Sequence, residues 1–303
     1  MTQILWVLSI GIAVAAFALF IITQQSSRYA LVDLVETKTP DELKSFVRKT
    51  TDLAEGKGGH LVLAHNMLPP VVIPDQRAAD ADRATNLLVI TEYPTREAGE
   101  AALAARHNWA EQHVYRTYAT QPAQAIELKF VRTIMSVLEL FSSVEVPKGN
   151  DKQQIESLIE TSHIVQGGGI YKGNWTEQLK LSNNQPVWML NFLEYTQEAN
   201  YEPHAEYDPA EPISGARAYG EYAKKMGPSL AAVGGRVAWR STALDPLPDT
   251  DDGQWHEIAI ASYPSIQALM TMYAQPAYRA AHVHRLAGLA RTRLVATQPV
   301  PPN

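Results

Sequence analysis

The pattern of apolar and polar residues divides this chain into two similar series of predicted strands and helices. The run Val187–Tyr195 is large and mainly apolar at both odd and even positions, which is typical of a strand covered on both faces. Asn191 is the polar exception, and an amide among apolar neighbours must find hydrogen-bond partners. Two interpretations stay open: a core amide bonded to the backbone, or the polar anchor of a pocket.

The first series has the order β-α-β-β-α-β. A helix is expected after Thr39, because Thr-Pro-Asp-Glu supplies an N-cap, a proline in the first turn and a capping-box glutamate. A second helix is expected from Thr95 to about Tyr118. The predicted strands are Tyr29–Glu36, His60–Leu68, Asn86–Tyr93 and Ala125–Ile134.

The same order recurs from Val187 onward, with a polar insertion after the first strand. The inward stripe of its first helix is predicted to be Tyr219, Tyr222, Ala223, Met226 and Leu230, and its second helix, from Ser265, is predicted to break at Pro276. The remaining predicted strands are Arg236–Ala243, Trp255–Tyr263 and Thr292–Thr297. We therefore predict two domains, at residues 29–134 and 186–303, joined by a helical and flexible connection at residues 135–185.

An apolar run precedes the first repeat. Ile4–Ile22 contains 19 residues without a charge, and at about 1.5 Å per helical residue it spans roughly the 30 Å hydrocarbon layer of a bilayer. We expect residues 1–28 to form a retained single-pass anchor in the inner (cytoplasmic) membrane. Arg28 and Lys38 follow this run, which favours a cytoplasmic body over a periplasmic one.

Composition narrows the classes of function. The chain has 303 residues, a formal net charge of −6 and no cysteine. The acidic balance argues against nucleic acid as a partner, because no basic stripe is available to neutralise phosphates. The absence of cysteine excludes disulfides, thiolate catalysis and cysteine-ligated zinc.

Several motifs of the second repeat resemble those of a widespread bacterial family of small domains of unknown function. These motifs lie between about Thr176 and Thr297, and they are Pro186-Val187-Trp188-Met189-Leu190-Asn191-Phe192-Leu193, Pro228, Gly234-Gly235-Arg236, Tyr263-Pro264-Ser265, Pro276-x-Tyr278, His284-Arg285 and Thr292-Arg293-Leu294. The resemblance implies the dimeric α+β barrel superfamily, in which ferredoxin-like βαββαβ units pair sheet to sheet. The first repeat looks like a degenerate copy, with His60 in the place of Arg236 and Asp33 roughly in the place of Asn191. The fold class expected is α+β: two tandem ferredoxin-like domains after a transmembrane helix.

Pairing of the two sheets follows from the same strand. One layer of helices covers one face of a sheet, so the other face must meet a second sheet. We expect the repeats to pair within the chain as a pseudo-dimeric barrel, with Met189 and Leu193 facing the sheet of the first repeat. The alternative is that each repeat pairs with its copy in another chain.

Five polar residues are the candidates for a ligand pocket: Asn191, Tyr222, Arg236, His284 and Arg285. Asn191 and Arg236 come from neighbouring predicted strands, Tyr222 comes from the first helix, and the family pattern places His284-Arg285 on the last helix. In such a pocket Arg236 would pair with an anionic or carbonyl group and His284 would exchange a proton. The alternative is that the arginines form salt bridges and that His284 caps a helix or faces solvent.

No metal or cofactor is predicted. His282 and His284 are two residues apart on a predicted helix, where their side chains point in nearly opposite directions.

Three functions remain open. The first is a membrane-anchored protein whose C-terminal domain binds a small, partly aromatic or acyl ligand. The second, by analogy of fold alone, is a cofactor-independent monooxygenase or isomerase. The third is an accessory or assembly subunit of a membrane protein complex.

Deletion of Met1–Gln25 tests the anchor. We expect a soluble and folded protein, because every predicted strand and helix of both repeats follows that segment. Ultracentrifugation and far-ultraviolet circular dichroism measure the two properties. A truncated protein that sediments with membranes, or that does not fold, would contradict a single anchor.

Overall fold

The computed structural model describes residues 28–68, 86–110, 112–146, 157, 185–207, 209–243 and 255–300. The predicted anchor Ile4–Ile22 lies outside these ranges. Among the residues within them, no helix has the length and apolar character needed to cross a bilayer.

Strands from both repeats form one closed antiparallel barrel. Its order is β1-β3-β2-β8-β5-β7-β6-β4, so each repeat contributes a four-stranded sheet, β4-β1-β3-β2 and β8-β5-β7-β6. The strands are β1 Tyr29–Val35, β2 His60–Met67, β3 Leu87–Tyr93, β4 Val114–Pro122, β5 Val187–Tyr195, β6 Arg236–Ala243, β7 Glu257–Tyr263 and β8 Leu289–Pro299.

The helices pack outside the barrel. Thr39 accepts a hydrogen bond from the backbone N–H of Glu42, as the capping sequence predicts. Gly58 and Gly234 have φ values of 74° and 75°, which is the left-handed conformation expected after the first helix of each repeat. The helices are α1 Pro40–Gly56, α2 Arg96–Ala110, α3 Ala125–Leu140, α4 Gly215–Ala232, α5 Ile266–Ala274 and α6 Pro276–Gly288, with a 3-10 helix at Glu202–Tyr207.

The prediction for the end of the first repeat is wrong. The helix after Thr95 ends at Ala110, the fourth strand is Val114–Pro122, and the predicted strand Ala125–Ile134 is the first part of α3. Ala125–Ile134 contains β-branched residues typical of strands. However, Val131 and Met135, four residues apart, share one helical face and pack on the helices of the second repeat, so tertiary packing overrides the local preference.

The prediction of which face of β5 meets the first repeat is wrong. Leu190 and Phe192 point into the barrel and pack with Val32 and Leu34 of the first repeat. Met189 instead packs under the helices of its own repeat. Leu193 lies on the same outer face as Met189, by strand alternation. The sequence could not distinguish the faces, because both are apolar.

The two sheets join at two short seams. Three residue pairs connect β2 to β8 and three connect β4 to β6. Inside the barrel, the indole N–H of Trp239 donates to the Glu92 carboxylate of the other repeat at 2.7 Å. The repeats are therefore held together by a shared core and by polar contacts between them.

His65 lies beside the β2–β8 seam. Its Nδ1 is 3.1 Å from Thr297 Oγ1, and the Thr297 hydroxyl donates to the carbonyl of Trp188 at 3.2 Å. The single hydroxyl proton of Thr297 is thereby used, so Nδ1 of His65 is the donor in their bond. Burial lowers the pKa of His65 to about 4.

The first repeat buries an ion pair between sheet and helix. The guanidinium of Arg106, on α2, binds both carboxylate oxygens of Asp33 on β1, at 2.7 Å for Nη2 to Oδ1. Thr117 on β4 accepts from Arg106 at 2.7 Å and donates to Asp33 at 2.7 Å. Asp33 and Arg106 are 0% and 4% exposed, so each charge depends on the other.

We expect acid to destabilise the barrel through His65. An unfolded histidine titrates at about 6.5, so between that pH and about 4 the unfolded chain binds a proton that the folded chain excludes. Stability should therefore fall as the pH falls across this window, by about 3 kcal/mol in total. Chemical denaturation at stepped pH measures this, and His65→Gln should flatten the slope. If His65→Gln and the exposed control His107→Gln retain equal slopes, His65 is not the cause.

Removal of the buried carboxylate should be costly. Asp33→Asn leaves the Arg106 charge without its partner, and we expect a loss of about 3–5 kcal/mol in the free energy of unfolding. Urea denaturation measures the loss, with Asp52→Asn on the exposed face of α1 as the control. A loss below about 1 kcal/mol would contradict the dependence of Arg106 on Asp33.

Candidate functional site

A cavity of about 430 Å³ lies between the outer face of the second sheet and its helices. Strands β5 to β8 form its floor, α4, α5 and α6 cover it, and α3 closes one side. Gly215 and Gly288 allow α4 to approach the end of α6, because a side chain at either glycine would meet the carbonyl of the other. The predicted inward stripe of α4 lines this cavity in full, through Tyr219, Tyr222, Ala223, Met226 and Leu230.

A row of tyrosines forms one wall. Ring centroids are 5.5 Å apart for Tyr195 and Tyr219, 5.2 Å for Tyr219 and Tyr222, and 6.2 Å for Tyr222 and Tyr278. Tyr273 continues the row at 5.1 Å from Tyr278. Burial raises the pKa of Tyr219, Tyr222 and Tyr273. These hydroxyls are therefore neutral at pH 7 and offer both a donor and an acceptor.

Acidic and hydroxyl groups surround Arg240 and balance its charge. Its guanidinium donates to both oxygens of Glu257, at 2.7 and 3.0 Å, and Tyr195 donates to the same carboxylate at 2.8 Å. Glu127 of α3 lies 3.8 Å from Arg240. The hydrogen bond with Glu257 raises the pKa of Arg240, so its charge is permanent and already paired.

Arg285 also lines the cavity, but its charge is balanced differently from that of Arg240. Its Nη2 donates to the hydroxyl of Thr292 at 3.0 Å. In the part of the chain that the structure describes, no carboxylate forms an ion pair with it. Burial lowers the pKa of Arg285, but interactions with Tyr222 and Tyr219 outweigh that effect and raise it overall. A permanent charge therefore faces the cavity without a protein carboxylate.

Three of the five predicted site residues meet here. Asn191, Tyr222 and Arg285 all line the cavity. The Asn191 amide also donates to the carbonyls of Met189, at 3.0 Å, and Ala259, at 3.4 Å. The two interpretations of Asn191 therefore hold together, since its amide nitrogen is satisfied by backbone while the side chain stays at the cavity floor.

The structure places the other two elsewhere. Arg236 forms an ion pair with Glu139 of α3, because the start of β6 lies beside that helix. His284 is on the side of α6 away from the cavity, where its ring nitrogens lie 2.7 Å from Tyr201 Oη and 2.6 Å from Lys225 Nζ. Burial, together with the charge of Lys225, lowers the pKa of His284.

His282 lines the cavity while His284 does not, as expected for two residues on one helix. Across the described ranges, no group of three or more histidine, cysteine, aspartate or glutamate side chains is arranged to hold a metal ion.

Sequence reasoning missed the Arg240 cluster. Arg240 and Glu257 lie on neighbouring strands, and their pairing depends on a register shift between Val237 and Trp239 that a hydrophobic pattern does not reveal. Glu127 was hidden by the wrong assignment of α3 as a strand. The sequence did contain one signal for this cluster, which is the presence of opposite charges, Arg240 and Glu257, on two strands predicted to be neighbours.

This chain is similar to several proteins of known structure. A protein of unknown function from Rhodopseudomonas palustris is 30% identical over 44% of this chain and 95% of its own length, with a TM-score of 0.38. Chlorite dismutase from Candidatus Nitrospira defluvii, in complex with imidazole, is 8% identical over 92% of this chain and 94% of its own length, with a TM-score of 0.41. No curated protein matches the chain significantly.

The family model that matches carries the description "Domain of unknown function (DUF1330)", and it covers residues 210–298. This range includes every helix and strand of the second repeat from α4 to β8, apart from the final residue of β8. The C-terminal repeat of this chain is therefore a member of the DUF1330 family of domains of unknown function.

Proposed function

We propose that the C-terminal domain binds a small, partly apolar ligand in the cavity between its helices and its sheet. The observation that carries this proposal is the cavity itself, of about 430 Å³, with an aromatic wall and a few polar groups. Ligand sites in proteins typically have this size and this mixture of surfaces. The predicted anchor at residues 1–28 would hold this binding domain at the inner membrane.

Binding is better supported than proton-transfer catalysis. The raised pKa values of the wall tyrosines disfavour phenolate chemistry at neutral pH. Arg240 and Glu257 are engaged with each other. His284 is outside the cavity, which leaves His282 as the histidine among the described lining residues. Among the described lining residues, the neutral tyrosine hydroxyls and the Arg285 guanidinium are suited to orient a ligand.

Two glycines of α4 provide a matched test. Gly220 lines the cavity and Gly227 does not, while a Cβ atom added at either position meets nothing within 4 Å. Leucine is a better helix former than glycine by about 1 kcal/mol, so both substitutions should be tolerated. Gly220 is exposed at the edge of the cavity, so we expect the Gly220→Leu side chain to narrow its opening, whereas Gly227→Leu would leave the opening unchanged.

We expect Gly220→Leu to weaken ligand binding at least tenfold. Isothermal titration calorimetry on the full chain in mild detergent would use 6-phenylhexanoate and its neutral amide, 6-phenylhexanamide, as probes. The wild type and Gly227→Leu should bind with equal affinity. Failure of the wild type to bind either probe, or equal binding by Gly220→Leu, would contradict a binding function for this cavity.

A further inference from the structure

The two repeats place different residues at one equivalent position of their first strands. Tyr29 pairs with Tyr93 in the first repeat, and Val187 pairs with Tyr263 in the second. Four residues further along each strand stand Asp33 and Asn191. Both lie on the outer face of their sheet, beneath the helices, because successive strand residues alternate between faces and the neighbours Val32, Leu190 and Phe192 point into the barrel.

A second equivalence joins the arginines. Arg106 lies on the helix before the last strand of the first repeat and donates to Thr117 of that strand at 2.7 Å. Arg285 lies on the helix before the last strand of the second repeat and donates to Thr292 of that strand at 3.0 Å. Each repeat therefore directs a helix arginine towards a threonine of its last strand. The registers differ, because Thr117 pairs with Asp33, whereas Thr292 pairs with Leu193, two residues beyond Asn191.

The repeats differ in what balances that arginine. In the first repeat, Asp33 supplies both oxygens of its carboxylate to Arg106. In the second repeat the aspartate position is Asn191, an amide without charge, and Arg285 faces the cavity. We infer that the ligand of this cavity is a carboxylate whose charged group binds Arg285, in the role that Asp33 has for Arg106. This inference rests on the proposed binding function and specifies its ligand class.

The other charges of the cavity agree with this orientation. Its two carboxylates, Glu127 and Glu257, both lie against Arg240. They compensate that end of the site and would repel a second anion there. The charged end of the ligand is thus directed to Arg285, and its apolar part lies along the tyrosine wall.

The first repeat provides a precedent for a carboxylate as the partner of the helix arginine. In the first repeat, a helix arginine beneath the same sheet face binds a carboxylate through two parallel hydrogen bonds, which is the strong form of the interaction. Space beyond the carboxylate is apolar and aromatic. The ligand class is therefore an aryl or alkyl carboxylic acid.

Calorimetry with the same two probes separates this inference from the proposed function. We expect wild type to bind 6-phenylhexanoate at least about tenfold more tightly than 6-phenylhexanamide, because only the acid forms charge-assisted hydrogen bonds. Asn191→Asp should weaken the acid at least tenfold and change the amide less than about twofold, since the new carboxylate would pair with Arg285. Asn200→Asp adds the same charge outside the cavity and should change neither. Arg285→Gln provides a second variant and should abolish the preference for the acid.

The possible results distinguish the carboxylate inference from the proposed binding function. Equal affinity of the wild type for acid and amide would overturn the carboxylate inference and leave the binding function standing. No binding of either probe would overturn both. Acid binding by Asn191→Asp or Arg285→Gln at the level of wild type would show that Arg285 does not hold the carboxylate. Melting temperatures of the variants within a few degrees of wild type would establish that the losses are not caused by unfolding.

Discussion

Burial of the inner sheet faces is the constraint on which this fold depends. Each four-stranded sheet has helices on one face only, so its other face must be covered by a second sheet. Leu190 and Phe192 of the second repeat meet that need against Val32 and Leu34 of the first. Because the partner sheet belongs to the same chain, its effective concentration is roughly millimolar. The barrel can therefore close without association with a second chain.

Closure of the barrel also determines where a ligand can be held. An eight-stranded barrel is just wide enough for its interior to be filled by side chains. Tyr118, Phe192 and Trp239 occupy this interior, and His65 and Trp188 fill the region near one seam. The cavity of about 430 Å³ lies outside this interior, between the outer face of the second sheet and α4 to α6.

Apart from the end of the first repeat, the order of strands and helices and the α4 stripe could be predicted from the sequence, because caps, glycines and helical spacing are local signals. The orientation of β5 could not be predicted. Its faces are both apolar, and only the partner that each face meets distinguishes Met189 from Leu190. The helical state of Ala125–Leu140 also depends on contacts with the second repeat. Asn191 and Arg285 were found because they lie in the family motifs, and Tyr222 was found because helical spacing places it on the inward stripe of α4. Arg236 lies outside the site because it forms an ion pair with Glu139 of the misassigned helix.

Duplication explains how one chain can contain both a sealed and an open version of the same layer. The buried pair of Asp33 and Arg106 satisfies two charges that would otherwise be costly, and so the first repeat is closed by its own side chains. The corresponding strand position of the second repeat is an uncharged amide, Asn191, and among the described residues no carboxylate forms an ion pair with Arg285. The first repeat can keep the barrel stable while the second carries an incompletely compensated charge. Under the proposed binding function, stability and binding would depend on different copies of one unit, and the residue at a single strand position would account for much of that difference.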